Sequence, residues 1–307
     1  ASTYLNWKLT KDLIYKPQLS LLYNTNNDFY NRTTDFPNMD SYNGYTRESR
    51  STTIRYVLQH TLTYKTMIKE RLGLTAMAGQ SYEHYNRSYV VASGWDFPTK
   101  EFTYIRSGAS FGANGYAYAN TLISHFGRLD LSWDDKYLLS ATVRVDGSSK
   151  FPKGGQWGVF PSASISWRIS KEDFMKGIDA INDWKFRLSW GMTGEQSGVG
   201  NYTAQRYMGA EAPYYASAGI TLESPGNNDL SWEKAEQINI GTDAVLFNDR
   251  VNVSLDYYIK NTHGLLFNKP MPATYGYKTK LVNIGKMSNS GFELALKTVN
   301  VKLRDFE

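Results

Sequence analysis

The chain contains no cysteine in its 307 residues. That absence removes disulfides, cysteine-ligated zinc and thiol nucleophiles together, and it suits a chain that crosses an oxidising periplasm without requiring one. Histidine is scarce as well. His60, His84, His125 and His263 are the only four, and their separations match no metal-ligand spacing and no catalytic motif. No apolar run reaches the roughly 18 residues that a membrane helix needs. A membrane β-barrel passes that test, because its strands dilute lipid-facing residues with lumen-facing polar ones. No basic block interrupts the even mixture of 34 basic and 29 acidic residues, whose net charge is +5, so nucleic acid is not an expected partner. Helical periodicity is nearly absent. The best stretch is "SKEDFMKGIDAIN", where Ser170 and Asp173 would cap one short helix. The chain opens at Ala1 with neither Met nor a signal peptide and stops at Glu307 in a turn-like stretch, so it reads as a mature or partial chain.

What is there is a β vocabulary. Aromatic residues make up 15% of the chain and tyrosine alone counts 23, beside plentiful Asn, Ser, Thr and Gly. Apolar and polar residues alternate over long stretches. In "WGVFPSASISWRI", Trp157, Val159, Pro161, Ala163, Ile165 and Trp167 share one face, and the opposite face is mostly Gly and Ser. The same period runs through "YLNWKL", "TIRYVLQHTLTY", "RLGLTAMA", "KYLLSATVRVD", "WKFRLSWGM" and "RVNVSLDYYIK". Strands are therefore expected near 2–9, 17–25, 51–65, 69–83, 120–133, 136–147, 156–170, 182–193, 234–247, 250–261 and 286–299. Most reach the about 9 to 11 residues of a tilted membrane strand, whereas soluble strands average about 5 to 6.

The connections between these strands alternate in length. They are short around Lys11, at Thr66–Met67–Ile68, at Asp134–Asp135 and at Asn248–Asp249, and long at 26–50, 84–119, 194–233 and 262–285. Those at 148–155 and 171–181 are intermediate. Tight turns on one rim and long loops on the other are the pattern of an outer-membrane barrel. The expected fold is accordingly all-β, a transmembrane antiparallel β-barrel, with a soluble sheet that buries one face on a core as the competing reading. Trp133, Tyr137, Trp157, Trp167, Trp184 and Trp190 lie toward strand ends on the apolar face, the position of an aromatic girdle at the lipid headgroups. His60 breaks the pattern, since the phase aims it at lipid. Eleven strands also leave two unpaired edges, and each orphaned backbone group in lipid costs several kcal/mol. The remaining strands must come from elsewhere.

Signals for catalysis are poor. A barrel esterase needs Ser beside His on the outward face, but the outward neighbours of His125 are Gln80, Tyr82 and Val145. The carboxylates Asp130, Asp134 and Asp135, or Glu233, Glu236 and Asp243, could form a hydrolytic pair, yet each falls in a turn or among polar positions where a solvated or Arg-paired acid is ordinary. "DGSSKFPKGG" has no phosphate-binding glycine pattern ahead of a helix. No enzyme activity, metal or cofactor is expected. Ligand contact is better placed in the long loops, where Trp95, Phe97, Tyr104, Phe111, Tyr116, Tyr118, Tyr214 and Tyr215 stand among small and polar residues. Such rings stack on sugars, pack on peptide side chains, or simply hold the loops together. An outer-membrane barrel of another class, an enzyme or adhesin, and a soluble all-β glycan-binding protein stay open at this point.

Four ordered stretches go further. "RVDGSSKFPKGGQWGVFPSASISWRISKEDFM", "LSWGMTGEQ", "LSWEKAEQINIGTDAVLFNDRVNVSLDYYIKNTHGLLF" and "NIGKMSNSGFELAL" resemble, in order, the barrel signatures of the SusC/RagA family of TonB-linked outer-membrane proteins of Bacteroidetes. "FGRLDLSWDDKYLLSATVR" fits upstream, and the resemblance covers most of residues 51 to 307. It implies the cell outer membrane, and a barrel of about twenty-two strands around a plugged lumen. It also implies import of a glycan or peptide nutrient, a SusD-like surface lipoprotein as lid, and drive from the TonB complex. No plug-like segment or TonB box is present, so the expectation for residues 1–307 is one segment of a transporter barrel, in contact with outer-membrane lipid and with an oligosaccharide or peptide ligand.

Overall fold

A computed structural model describes residues 1–35, 43–210, 217 and 219–300. The strands are β1 (Ser2–Tyr4), β2 (Trp7–Lys8), β3 (Leu13–Arg32), β4 (Tyr45–Ile68), β5 (Leu72–Trp95), β6 (Ser110–Trp133), β7 (Tyr137–Ser148), β8 (Trp157–Arg168), β9 (Ile181–Glu195), β10 (Arg206–Gly209), β11 (Thr221–Pro225), β12 (Glu233–Leu246), β13 (Val251–His263), β14 (Leu266–Pro270), β15 (Thr279–Asn283) and β16 (Lys286–Thr298). Twelve of them form one sheet in the order β1-β3-β4-β5-β6-β7-β8-β9-β12-β13-β16, with β2 also paired to β3. The expected first strand, 2–9, is thus broken between β1 and β2, and both pieces pair with β3. Two hairpins stand apart, β10 with β11 and β14 with β15. They occupy stretches expected to be irregular loop.

Backbone contacts divide the chain into two units: Ala1–Tyr4, Gln18–Leu58 and Tyr82–Thr121 in the first, Leu5–Pro17, Gln59–Ser81 and Leu122–Glu307 in the second. In the second unit the antiparallel register aligns like with like across seven strands. One row runs Leu131, Leu139, Ile165, Leu188, Ile240, Tyr257 and Phe292. The adjacent row, one residue on, runs Asp130, Ser140, Ser164, Ser189, Asn239, Tyr258 and Gly291. Successive side chains of a strand point to opposite faces, so these rows define an apolar face and a polar one. The apolar row is uncovered: Ile165 is 51% exposed and Phe292 77%.

The ends of the second unit's strands are set by local chemistry. Lys69 with Glu70, and Asp134 with Asp135, are pairs with positive φ between 50° and 55°, the type I′ geometry whose twist matches the flanking strands. At the third tight turn Phe247, Asn248 and Asp249 all have positive φ. The Asp134 turn is pinned by Arg71, whose Nε donates to Asp134 Oδ1 at 2.8 Å while its guanidinium lies 5.7 Å from the Trp133 ring. Asp135 accepts from Arg168 Nη1 at 2.7 Å and from Lys171. The helix expected from "SKEDFMKGIDAIN" does not form. Two short 3-10 turns, Ile169–Lys171 and Asp173–Met175, replace it. Ser170 Oγ donates to Asp183 rather than to a backbone amide, and Asp173 pairs with Lys176 at 2.7 Å. So short a segment closes too few helical bonds to offset the cost of nucleation.

Strands β4, β5 and β6 are longer than alternation predicts, with 24 residues each. Residues 45–50, 84–95 and 110–119, expected to be loop, are strand, and the connections shrink to 33–44 and 96–109. Polar pairs hold these extensions, Arg87 Nε donating to Ser51 Oγ at 3.1 Å and Tyr45 meeting Ser93 at 3.0 Å, and Arg55 Nε meets Glu83 at 2.8 Å just before them. His60, in the second unit, is resolved by a partner. The Tyr15 hydroxyl hydrogen-bonds its Nδ1 at 2.6 Å and the two rings stack at 5.9 Å, so an imidazole on the apolar face keeps one nitrogen satisfied.

Close packing on the polar side limits several glycines, Gly79, Gly158 and Gly194 among them. A Cβ at Gly79 would lie 2.5 Å from the Phe126 ring and 2.8 Å from the His60 carbonyl oxygen, whereas one at Gly73 meets nothing nearer than 3.6 Å. Gly79→Val is expected to cost about 1–3 kcal/mol by overpacking, and Gly73→Ala to fall within about 0.5 kcal/mol of the parent. Thermal unfolding of the full-length parent in detergent checks both, and equal effects would discount the Phe126 contact.

Candidate functional site

Three long connections of the second unit, 149–156, 196–232 and 264–285, meet over a small core. Phe151, Phe160, Val199, Ala204, Leu230 and Trp232 are buried there, with Leu122, Leu266 and Leu281 packed against them. The Trp232 ring lies 4.9 Å from Phe151 and 5.5 Å, edge-on, from Phe160. Its Nε1 donates to the Gln156 carbonyl at 2.9 Å, which satisfies the one polar atom of a buried indole. Asn283 clasps the same core: its Nδ2 donates to the Ser231 and Gly264 carbonyls at 2.8 and 2.9 Å, and its Oδ1 accepts from the Ser231 amide at 2.9 Å. Asn227 Nδ2 reaches the Leu281 carbonyl at 2.8 Å. The described residues of these loops are therefore folded structure. One signal for this core was present in the sequence, since Phe160 interrupts a face that is Gly and Ser up to Arg168 at its end; nothing in the periodicity marks Leu230 or Trp232.

Below the loops, the polar face of the second unit carries matched charges. Arg187 Nε donates to Asp243 at 2.8 Å and its Nη2 reaches Asp256 at 3.0 Å, with Lys185 3.4 Å from Asp243. Arg128 meets Asp130 at 2.8 Å, and Arg144 bonds both Asp146 oxygens and the buried Ser124 hydroxyl. The acids weighed as hydrolytic pairs are thus occupied. Asp130, Asp134, Asp135 and Asp243 are bound to arginine, Glu236 accepts the Trp190 Nε1 at 2.7 Å, and Glu233 accepts the Leu266 amide. His125 stacks on Trp157 at 6.1 Å and stands opposite Val145. Among the described residues no group of three or more potential ligands could hold a metal.

The first unit presents tyrosines. Tyr85 stacks with Tyr118 at 6.1 Å, Tyr118 with Tyr116 at 5.8 Å, and Tyr116 with Tyr89 at 5.2 Å. Of the eight expected ligand contacts, Phe111, Tyr116 and Tyr118 stand on β6 rather than in a loop, the two tyrosines in this ladder, and Phe111 and Tyr116 are exposed over half their surface or more. Tyr104 is 72% exposed beside the short turn Ile105–Ser107. Trp95 ends β5. Phe97 is 2% exposed, its amide donates to the Asn43 carbonyl and its carbonyl accepts from Asn43 Nδ2, so it packs the loop and shows no ring face to a ligand. Tyr214 and Tyr215 lie outside the described residues. Tyr85 and Tyr89 were not among the expected contacts, because only the pairing of β5 with β6 brings them against Tyr118 and Tyr116.

The expected girdle divides by position. Trp133, Tyr137 and Trp167 cluster at the tight-turn end of the second unit, Trp184 lies a few residues into β9 from the same end, and Trp157 begins β8 at the long-loop end. Trp190 departs from the expectation. It is paired with Ala163 and Ile238 deep in the ladder rather than at a strand end. At the tight-turn end the Glu172 carboxylate gathers the ring hydroxyl of Tyr137 at 2.6 Å, Trp167 Nε1 at 3.1 Å and Lys136 Nζ at 3.0 Å.

A single all-β sheet with opposed faces, tight turns at one end and structured loops at the other is the wall of an outer-membrane β-barrel. Residues 1–304 match the model of the TonB dependent receptor-like β-barrel family, and the chain belongs to that family. It is 33% identical over 238 residues to the TonB-dependent receptor P3 of Formosa agariphila, covering 76% of this chain and 24% of the relative. Identity to the TonB-dependent receptor SusC of Bacteroides thetaiotaomicron is 34% over 239 residues, covering 75% and 23%. The structure superposes on the RagAB peptide transporter with a TM-score of 0.89 at 27% identity, over 97% of this chain and 33% of that one. The chain thus spans about a quarter of the length of the curated relatives it matches. These relatives are receptors, not enzymes.

Two substitutions probe this geometry. Trp232→Ala should cost about 3–5 kcal/mol, the usual penalty for emptying a buried aromatic site, and should open 149–156 and 196–232 to protease while leaving the strands protected; loops as resistant as the parent's would contradict the core's role. Glu172 is held at about 2, below its ordinary 4.5, by donation from Tyr137 first, then Trp167 and Lys136. A depressed carboxyl stabilises the fold fully above 4.5 and loses that contribution as pH falls toward 2. Hydrogen exchange in 169–178, corrected for its intrinsic pH dependence, should hold steady down to that window and then rise, and Glu172→Gln should abolish the transition.

Proposed function

We propose that residues 1–307 form a segment of the barrel wall of an outer-membrane, TonB-dependent nutrient importer of the SusC/RagA type. The observation that carries this reading is the pair of matched rows across seven strands, one apolar and one polar, in a chain of this receptor family. The apolar face meets lipid, with Trp133, Tyr137, Trp157, Trp167 and Trp184 at the headgroup levels, and the polar face lines the water-filled passage. A SusD-like surface lipoprotein caps the vestibule. The TonB complex acts through the N-terminal part of the parent protein. The nutrient is an oligosaccharide or a peptide, touched by Trp95, Tyr104 and Tyr116, and by Tyr214 and Tyr215 of the 194–233 loop.

Two measurements test this. Arginine at Val143, Ile165, Leu188 or Val253 should cost about 2–4 kcal/mol near the bilayer midplane, and far less at Ser164 or Thr142; equal tolerance would remove the assignment of faces. In cells, the combined Trp95→Ala, Tyr104→Ala and Tyr116→Ala variant should lower uptake of the native nutrient at unchanged abundance of the receptor. Normal uptake in cells lacking the parent gene altogether would remove the importer reading itself.

A further inference from the structure

The polar-face arginines of the second unit are each matched by acid: Arg128 by Asp130, Arg144 by Asp146, Arg187 by Asp243 and Asp256. Arg47 and Arg87, on the tyrosine-bearing face of the first unit, are not. Among the described residues neither forms an ion pair. Arg47 donates to the Tyr89 hydroxyl, and Arg87 is held between Ser51 Oγ, at 3.1 Å, and the Tyr118 hydroxyl. Of the acids nearby, Glu83 pairs with Arg55, while Asp28 lines a recess with Arg47, Tyr30 and Tyr45, accepts from Asn26 at 2.9 Å and acts on Arg47 through space without forming an ion pair, so Arg87 is the less compensated of the two cations. Neutral oxygens fix the direction of a guanidinium without cancelling its charge. Its remaining N–H groups are left as a planar fork suited to an oxyanion.

The register sets the spacing. Arg55 meets Glu83 and Arg87 meets Ser51 across β4 and β5, which places Arg87 level with a residue four positions from Arg47. Four residues of strand are roughly 13 Å. Between and beside the two cations stands the ladder of Tyr85, Tyr118, Tyr116 and Tyr89, whose ring faces cover one another at 5.2 to 6.1 Å. Such a ladder offers a visitor its ring edges and its hydroxyls, each of which can both donate and accept.

We propose that this face binds an acidic oligosaccharide, with its carboxylate or sulfate groups on Arg47 and Arg87 and its ring hydroxyls on the phenols of the ladder. The proposal rests on the importer reading and names the ligand class for it. A peptide is the less fitting occupant. Peptides are commonly held by strand addition at an open edge or by apolar pockets for alternate side chains, whereas Arg47 and Arg87 stand on β4 and β5, which have a strand on both sides, and the face around them is hydroxyl and guanidinium rather than apolar pockets.

The test uses the full-length receptor in detergent and calorimetric binding of four probes: tetragalacturonate, a sulfated tetrasaccharide, neutral maltotetraose and tetraglutamate. At least one acidic sugar should bind more tightly than the other two probes, with affinity that falls as salt rises. Arg47→Gln with Arg87→Gln should weaken it about tenfold or more, and Arg87→Lys, which keeps charge but loses the fork, by an intermediate factor. Tyr116→Phe, which removes one hydroxyl and leaves the stack, should weaken it less, and serves if the double variant does not fold. Absence of acidic-sugar binding, affinity indifferent to these variants, or tetraglutamate bound as tightly as the sugars would overturn the proposal. The importer reading is judged separately by uptake in cells lacking the parent gene.

Discussion

Side chains on a strand alternate with a period of two, and a sheet that meets two unlike media can tolerate no slip by a single residue. Here that constraint is met through the ladder itself: Leu139 faces Ile165, Ile165 faces Leu188 and Leu188 faces Ile240, while Ser140, Ser164, Ser189 and Asn239 stand one step behind. One residue of slip anywhere would set a serine row in lipid and an isoleucine row in water. The tight turns enforce the register locally, since a type I′ pair such as Asp134–Asp135 fixes which residues of β6 and β7 stand opposite. Everything else about the molecule, from the placement of charge to the folding of its loops, is arranged within that frame.

The frame was largely legible in the sequence, because an apolar face on lipid writes alternation directly into the chain. The eleven expected strands correspond to the eleven positions of the main sheet, with the first broken in two. Legibility failed where both faces are polar. Residues 84–95 read "HYNRSYVVASGW", with no apolar row to reveal a period, yet they continue β5 through pairs such as Arg87 with Ser51. It failed again in the loops. The indole of Trp232 is buried by residues some eighty positions upstream, at Phe151 and Gln156, and no local pattern encodes a contact of that range. The one foreseeable clue was Phe160, an aromatic ring on a serine face.

Charge is treated differently along the polar face. Arg128, Arg144 and Arg187 are neutralised in place by aspartates on their own or an adjacent strand, so the wall they line is hydrophilic without carrying a strong field. Arg47 and Arg87 are oriented by hydroxyls alone. The same residue type therefore holds the wall together where its partner is an acid, as at Arg187 and at Arg55, and stays electrostatically available where its partner is a hydroxyl, as at Arg87.

The nearest-neighbour order of the sheet also governs how it is made. From β3 to β9 every strand pairs with the next in the chain, and the two later steps, β9 to β12 and β13 to β16, pass only a small hairpin on the way. Even the longest excursion between paired strands is a modest expense of chain entropy, since each doubling of a loop adds only about 0.6 kcal/mol. Growth can then proceed one strand at a time along a single advancing edge, each finished strand serving as the template for its successor. A defect in one hairpin would stall every later strand and leave the earlier ones intact.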